Sequence, residues 1–153
     1  TNKTFVRVAS EEDIRSVFKR LRTEDIRECR DMTGASDEEI LTGMLDCFVL
    51  TGGLDDGPPE VLFGADPVPF YPEVGNIWLL GTSAIEEYPR AFHRTALTCL
   101  REFETKFSSL TNFADSRNEV HLRWIKRLGF SFLREVPLGP RSTPFREFVK
   151  ICA

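Results

Sequence analysis

The chain predicts a mixed α/β fold, a central, mostly antiparallel sheet with helices on both faces, and three observations lead there. Its 153 residues are the size of one domain, and a composition 41% hydrophobic and 11% aromatic is enough for a single buried core. Short β-like runs alternate with amphipathic helical stretches in the order strand, two helices, three strands, helix, strand, helix, strand, strand. The strand, helix, strand passage over residues 76 to 115 places two parallel neighbours in the sheet, whereas the other strands can pair antiparallel. Residues 1 to 153 are therefore expected to form one domain without an internal repeat.

Each element has its own signal. Thr4 to Val8 reads as a short strand, and Ser10, with Asp13 three residues on, opens a helix carrying Ile14, Val17, Phe18 and Leu21 on one face. Thr23 and Ser36 are read as further N-caps, Ser36 forming a capping-box pattern with Glu39 ahead of Ile40, Leu41, Met44 and Leu45. Phe48 to Leu50 and Val61 to Phe63 read as antiparallel strands joined by a mobile loop from Gly52 to Pro59. Pro67, Pro69 and Pro72 predict a stiff connection, and Asn76 to Thr82 an apolar central strand. Pro89 suits the first turn of the longest helix, which lines up Phe92, Ala96, Cys99, Leu100, Phe103 and Phe107. Ser109 to Asp115 reads as a strand, Ser116 with Glu119 as the start of a helix that Gly129 ends, and Phe130 to Val136 and Phe145 to Cys152 as the closing strands. Trp78, Phe92, Phe103 and Trp124 fall on faces already needed for packing and are assigned to the core.

Composition excludes several classes of function. No apolar run approaches the roughly 20 residues of a membrane-spanning helix, and the polar start of the chain lacks the apolar core of a secretory signal, so the expected compartment is the cytosol. Cys29, Cys47, Cys99 and Cys152 are irregularly spaced without a C-x-x-C pair, which argues against a zinc site or disulfide framework; no metal site is expected. The net charge of −4 divides into −8 over residues 1 to 76 and +4 over residues 77 to 153. An acidic chain without a basic arm is a poor nucleic-acid binder, but its second half can hold an anion.

The stretch Asn118-Glu119-Val120-His121-Leu122-Arg123-Trp124-Ile125-Lys126-Arg127-Leu128-Gly129-Phe130, directly after a strand, carries the most specific signal. It resembles the N-x-x-A-x-x-L-Y-x-x-L-G-F ending of the GCN5-related N-acetyltransferase (GNAT) superfamily at Asn118, Leu128, Gly129 and Phe130, with Trp124 loosely in the Leu place. The element order is also that of the superfamily. Within it, Asn118, His121, Arg123, Lys126 and Gly129 are most similar to the N-x-x-H-x-R-x-x-K-x-x-G ending of short GNAT-like proteins of short-tailed bacteriophages, some of them internal virion proteins.

The resemblance implies a GNAT-like fold, acetyl-CoA as cofactor, an amine of a small molecule or protein as acceptor, and a phage-encoded protein acting in the host bacterial cytoplasm or the virion, among phage or host proteins. Two central strands splay apart, and backbone groups of the first bond the cofactor's pantetheine as though it were another strand. That edge falls on Ile77 to Thr82, with Leu79, Leu80, Gly81 and Thr82 as the cofactor-binding residues. Arg90 and Arg94, with His93, begin the following helix and can reach the pyrophosphate, while Asn118 lies across the splay near the thioester. His121 is the candidate acid for the leaving thiolate and Glu73 the candidate base. The ordinary structural alternatives are a histidine hydrogen-bonded to backbone, a locally bonded helix-start asparagine and solvated arginines.

Two departures support a competing expectation. The segment from Gly81 to Arg90 lacks the two glycines of the superfamily's pyrophosphate loop and carries Glu86 and Glu87, and the position of the superfamily's tyrosine acid holds Ile125. A catalytically inactive GNAT-fold structural or interaction protein of the phage particle satisfies the same sequence.

Overall fold

The computed structural model describes residues 2 to 152. Seven strands form one sheet: β1 (Thr4–Val8), β2 (Phe48–Leu54), β3 (Val61–Val68), β4 (Tyr71–Gly81), β5 (Ser109–Asp115), β6 (Ser131–Leu138) and β7 (Thr143–Ile151), in the order β1-β2-β3-β4-β5-β7-β6. All neighbours are antiparallel except β4 and β5, which run parallel on either side of a helical crossover. The mixed, mostly antiparallel sheet is the expected one.

Among the described residues six helices cover it: α1 (Glu11–Lys19), α2 (Thr23–Thr33), α3 (Asp37–Leu45), α4 (Ala84–Glu87), α5 (Pro89–Lys106) and α6 (Glu119–Arg127). Strand alternation divides the core between two faces. Leu62 and Leu80 pack with Ile14, Val17 and Met44 of α1 and α3, whereas Phe63, Ile77 and Leu79 pack with Phe92, Ala96, Leu100 and Phe103 of α5 and Ile125 of α6. Trp124 reaches Phe63 edge-on at 6.2 Å between ring centres.

Ser10 and Ser36 each complete a reciprocal capping box, as their spacing predicts. Other boundaries differ. Three helices precede the first hairpin instead of two, and Thr23 is the first helical residue of α2, with Arg22 as N-cap. Asn118, not Ser116, caps α6: Asn118 Oδ1 accepts from His121 N–H at 3.3 Å, whereas Ser116 Oγ meets no donor among the described residues. Gly52 and Gly53 belong to β2, opposite Val6 and Phe5. Pro67 and Pro72 lie in strands; Pro67 sits beside a register shift at the irregular end of the β3–β4 hairpin, where a missing ladder donor is tolerated. Gly129, at φ +99°, follows α6 in a backbone conformation that a side chain would strain.

Candidate active site

The sheet opens where its two parallel strands meet. β4 and β5 pair only at Val74–Ser109, Gly75–Leu110 and Asn76–Thr111, then diverge. Buried backbone groups on the diverging edges need partners from elsewhere. Side chains supply them: Asn112 Nδ2 donates to the Ile77 carbonyl at 2.6 Å, Gly81 N–H donates to Asp25 at 2.9 Å, and Asp115 N–H donates to Glu28 at 2.5 Å. Leu79 lies between Ile77 and Gly81 and, by the period of two, aims its backbone into the same gap.

Asp25 and Glu28 come from α2, an unusual helix whose buried residues are Asp25, Glu28 and Asp31. Spacing of three puts these carboxylates on one face, which the fold presses against the ends of β4 and β5. Asp25 also accepts from buried Arg22 at 2.8 Å, and Arg22 reaches Glu86 of α4 at 3.1 Å. Glu28 Oε2 lies 3.0 Å from His121 Nδ1. Asp31 accepts from Arg117 at 3.0 Å and from Arg141, and Arg117 also holds Asp115 at 2.7 Å. An ionic chain thus runs from exposed Glu86 through buried Arg22 and Asp25, beside the buried Glu28–His121 pair.

These charges set one another's protonation. Burial alone lowers the His121 pKa, but Glu28 and Asp25 beside the ring outweigh it and raise it above the ordinary 6.5, favouring the imidazolium. Burial pushes the Asp25 carboxyl up against the pull of His121 and Arg22. Burial pushes the Cys29 and Cys47 thiols up to about 12, so neither is a nucleophile at neutral pH. Asp25, Glu28 and His121 bring ligand-type atoms within 4.8 Å of one another. Each of their four carboxylate oxygens already accepts a hydrogen bond, however, and a cation would enter only by displacing those donors.

A cavity flanks the gap on each side. One, about 330 Å³, lies between the sheet and α2–α3; its walls include Met32, Ile40, Met44, Trp78 and Phe113, with Glu28 and His121 among its lining. The other, about 590 Å³, lies between the start of α5 and α6 and is lined by Glu86, His93, Val120, Arg123, Trp124 and Arg127. The ionic chain stands between them, with Glu86 on one wall and Glu28 and His121 on the other.

The sequence-predicted residues distribute unevenly over this geometry. His121 is 5% exposed, and its Nε2 is buried without a hydrogen-bond partner among the described residues. The same holds for Nδ2 of buried Asn118, one turn earlier. Leu79 and Gly81 face the gap with their backbones, while Leu80 alternates toward β3. Thr82 N–H donates to the Glu60 carbonyl and its hydroxyl to the Glu60 side chain. Arg90 is exposed at the start of α5, and Arg94 donates to the Asn2 carbonyl at 2.6 Å instead of turning to either cavity. Glu73 is exposed at the opposite end of β4, eight residues and about 26 Å from Gly81 at 3.3 Å per residue, so it is not brought together with the others.

Arg22, Asp25, Glu28 and Asn112 are the members that sequence reasoning missed. The one signal for the two carboxylates was the Asp25, Glu28, Asp31 spacing on a helix with few apolar residues, a pattern that normally marks a solvated face; Arg22 and Asn112 carried none.

No family model matches the sequence, and no curated protein matches it. Solved structures do match. A GCN5-related N-acetyltransferase from Kribbella flavida superposes with a TM-score of 0.73 at 16% identity over 97% of each chain. Ribosomal-protein-alanine N-acetyltransferase from Brucella melitensis gives 0.70 at 15% identity, over 96% of this chain and 99% of that one. A Salmonella typhimurium structure solved with its cofactor acetyl-CoA gives 0.69 at 13% identity, over 99% and 95%. The chain has the fold of these three structures.

Proposed function

We propose that the chain is a phage-encoded, single-domain N-acetyltransferase that moves an acetyl group from acetyl-CoA to an amine. The observation that carries this reading is His121, held through Nδ1 by Glu28 while Nε2 stays buried and unpartnered beside the opening of the sheet. A carboxylate that orients one ring nitrogen and leaves the other free is an acid–base arrangement.

Acetyl-CoA supplies a thioester that an amine can attack, with the sulfur leaving as a thiolate. Arg123 and Arg127 line the cavity between α5 and α6 and give it a positive wall for the phosphates, with His93 beside them. Leu79 N–H, facing the gap, is the donor for the thioester oxygen. The Nδ2 donor of Asn118 is available to the same group. His121, whose imidazolium form Glu28 and Asp25 favour, gives its Nε2 proton to the departing sulfur, and the amine's surplus proton passes to water. The bacterial cytoplasm as workplace rests on the resemblance of Asn118, His121, Arg123, Lys126 and Gly129 to the phage motif; among the described residues no helix is long and apolar enough to cross a membrane.

Calorimetric titration with acetyl-CoA, followed by thiol-release assays over an amine panel, tests this. Micromolar binding is expected, and His121→Gln should keep binding while losing about 10²-fold or more in turnover. A protein that ignores millimolar acetyl-CoA is not this enzyme.

A second reading has its own observation. Gly81 N–H is already bonded to Asp25, and the N–H groups of Thr82, Ala84, Ile85, Glu86, Glu87 and Tyr88 all have partners within the chain, so these donors after β4 are taken from inside. That arrangement favours a structural or interaction protein of the virion built on the same fold, and the titration separates the two.

A further inference from the structure

The cavity between the sheet and α2–α3 has a chemistry of its own. We propose that it receives a small primary amine carried on an aromatic or branched apolar body, an arylalkylamine, as acceptor; this rests on the acetyl-transfer reading, but the binding it asserts needs no acetyl-CoA.

Size comes first. A volume of about 330 Å³ equals roughly eleven water-sized volumes at 30 Å³ each, and it sits at the lower end of small-molecule sites. Its walls are apolar where a ligand body would lie. Trp78 and Phe113 supply flat surfaces, and Met32 and Met44 supply adaptable ones. Trp78 lies so close over Gly64 of β3 that a Cβ there would overlap its ring, which fixes the indole as a wall.

Charge is graded along the cavity. Exposed Glu39 and Asp66 line it toward solvent, in the acidic half of the chain, and draw in a cation. At the inner end Glu28 meets His121, where an amine nitrogen would face the gap. Glu28 is the one buried carboxylate among the residues lining the cavity and is already shared with Asp115 N–H, so the further charges of a linear polycation meet only Glu39 and Asp66, which are exposed and screened by water. A polyhydroxylated amine would leave its hydroxyls unpaired against Met32, Trp78 and Phe113.

Gly43 of α3 offers the means to close the cavity. It lines the space, and a Cβ built on it meets nothing within 4 Å, so a longer side chain can enter without displacing the helix. Calorimetry with 2-phenylethylamine, spermidine and glucosamine, in the absence of acetyl-CoA, tests the proposal. Expected is one-to-one binding of 2-phenylethylamine at least tenfold tighter than either of the others, and at least a tenfold loss in Gly43→Leu. Ala35→Phe, in the α2–α3 connection lining the same cavity, repeats the loss should Gly43→Leu melt early. Equal or tighter binding of spermidine or glucosamine, no binding of any amine, or undiminished 2-phenylethylamine binding in both folded variants overturns it. Arylalkylamine binding without acetyl-CoA binding would remove the transfer reaction and leave the cavity's ligand class standing.

Discussion

The two halves of the β4–β5 boundary solve one problem in opposite ways. From Val74 to Asn76 the strands pair directly, backbone to backbone, and Gly75 lies under the Phe107 ring. From Ile77 to Gly81 they part, and Asn112, Asp25 and Glu28 reach in to bond what the ladder leaves open. A closed half needs only shape. An open half needs polar groups, and groups that stand in for a strand are also the groups a bound ligand would replace or exploit. The gap therefore concentrates the chain's chemistry, while the paired half beside it holds the gap's geometry.

Breaking the polar seal should cost most. In Glu28→Ala the His121 ring loses its partner and Asp115 N–H its acceptor, both in a buried setting. Removing one member of such a pair costs about 3–5 kcal/mol, read as a fall in urea-unfolding free energy. Glu28→Gln, which keeps an acceptor for Asp115, should cost less. A loss below about 1 kcal/mol in Glu28→Ala, the level of an exposed pair, would mean that the gap is not sealed by charge.

The closed half should respond to volume instead. A Cβ at Gly75 would come within 2.7 Å of the Phe107 ring and 2.9 Å of Leu110 Cδ2. Gly75→Ala should therefore lose about 1–3 kcal/mol by overpacking. Because neither cavity is lined by Gly75, Phe107 or Leu110, ligand affinities measured on the folded variant should stay at the wild-type level. A changed affinity would show that strain in the paired half reaches the gap.

The same division decides what was legible beforehand. The bounds of β1 and β5 coincide with the sequence reading, and the Ser10 and Ser36 caps formed as their spacing predicts, because these signals lie within a few residues of what they specify. Asn118 and His121 were found through a local motif. Asp25 and Glu28 were not, since Gly81, Asp115 and His121 lie 56, 87 and 93 residues away from the carboxylates they meet. No local period reports such partners, and on a helix with few apolar residues those carboxylates look solvated. Glu73 failed to join the site for a related reason: the strand containing it runs farther back than its apolar core suggests, to Tyr71.

The smallest effect separates charge from shape inside the gap. Because the His121 pKa is raised above 6.5 by Glu28 and Asp25, the folded protein keeps a proton there that the unfolded chain has released, so its contribution is complete below about pH 6.5 and is lost as pH rises through the folded value. The slope for one proton is at most about 1.4 kcal/mol per pH unit. Asp25, also raised, acts with the same sign but from a lower starting pH, since its unfolded value is 3.8. Urea unfolding at pH 6, 7 and 8 should therefore show stability falling with pH in the wild type and falling less steeply in His121→Gln. An unchanged slope in that variant would move the titration to Asp25, and with it the proton that the gap has to give.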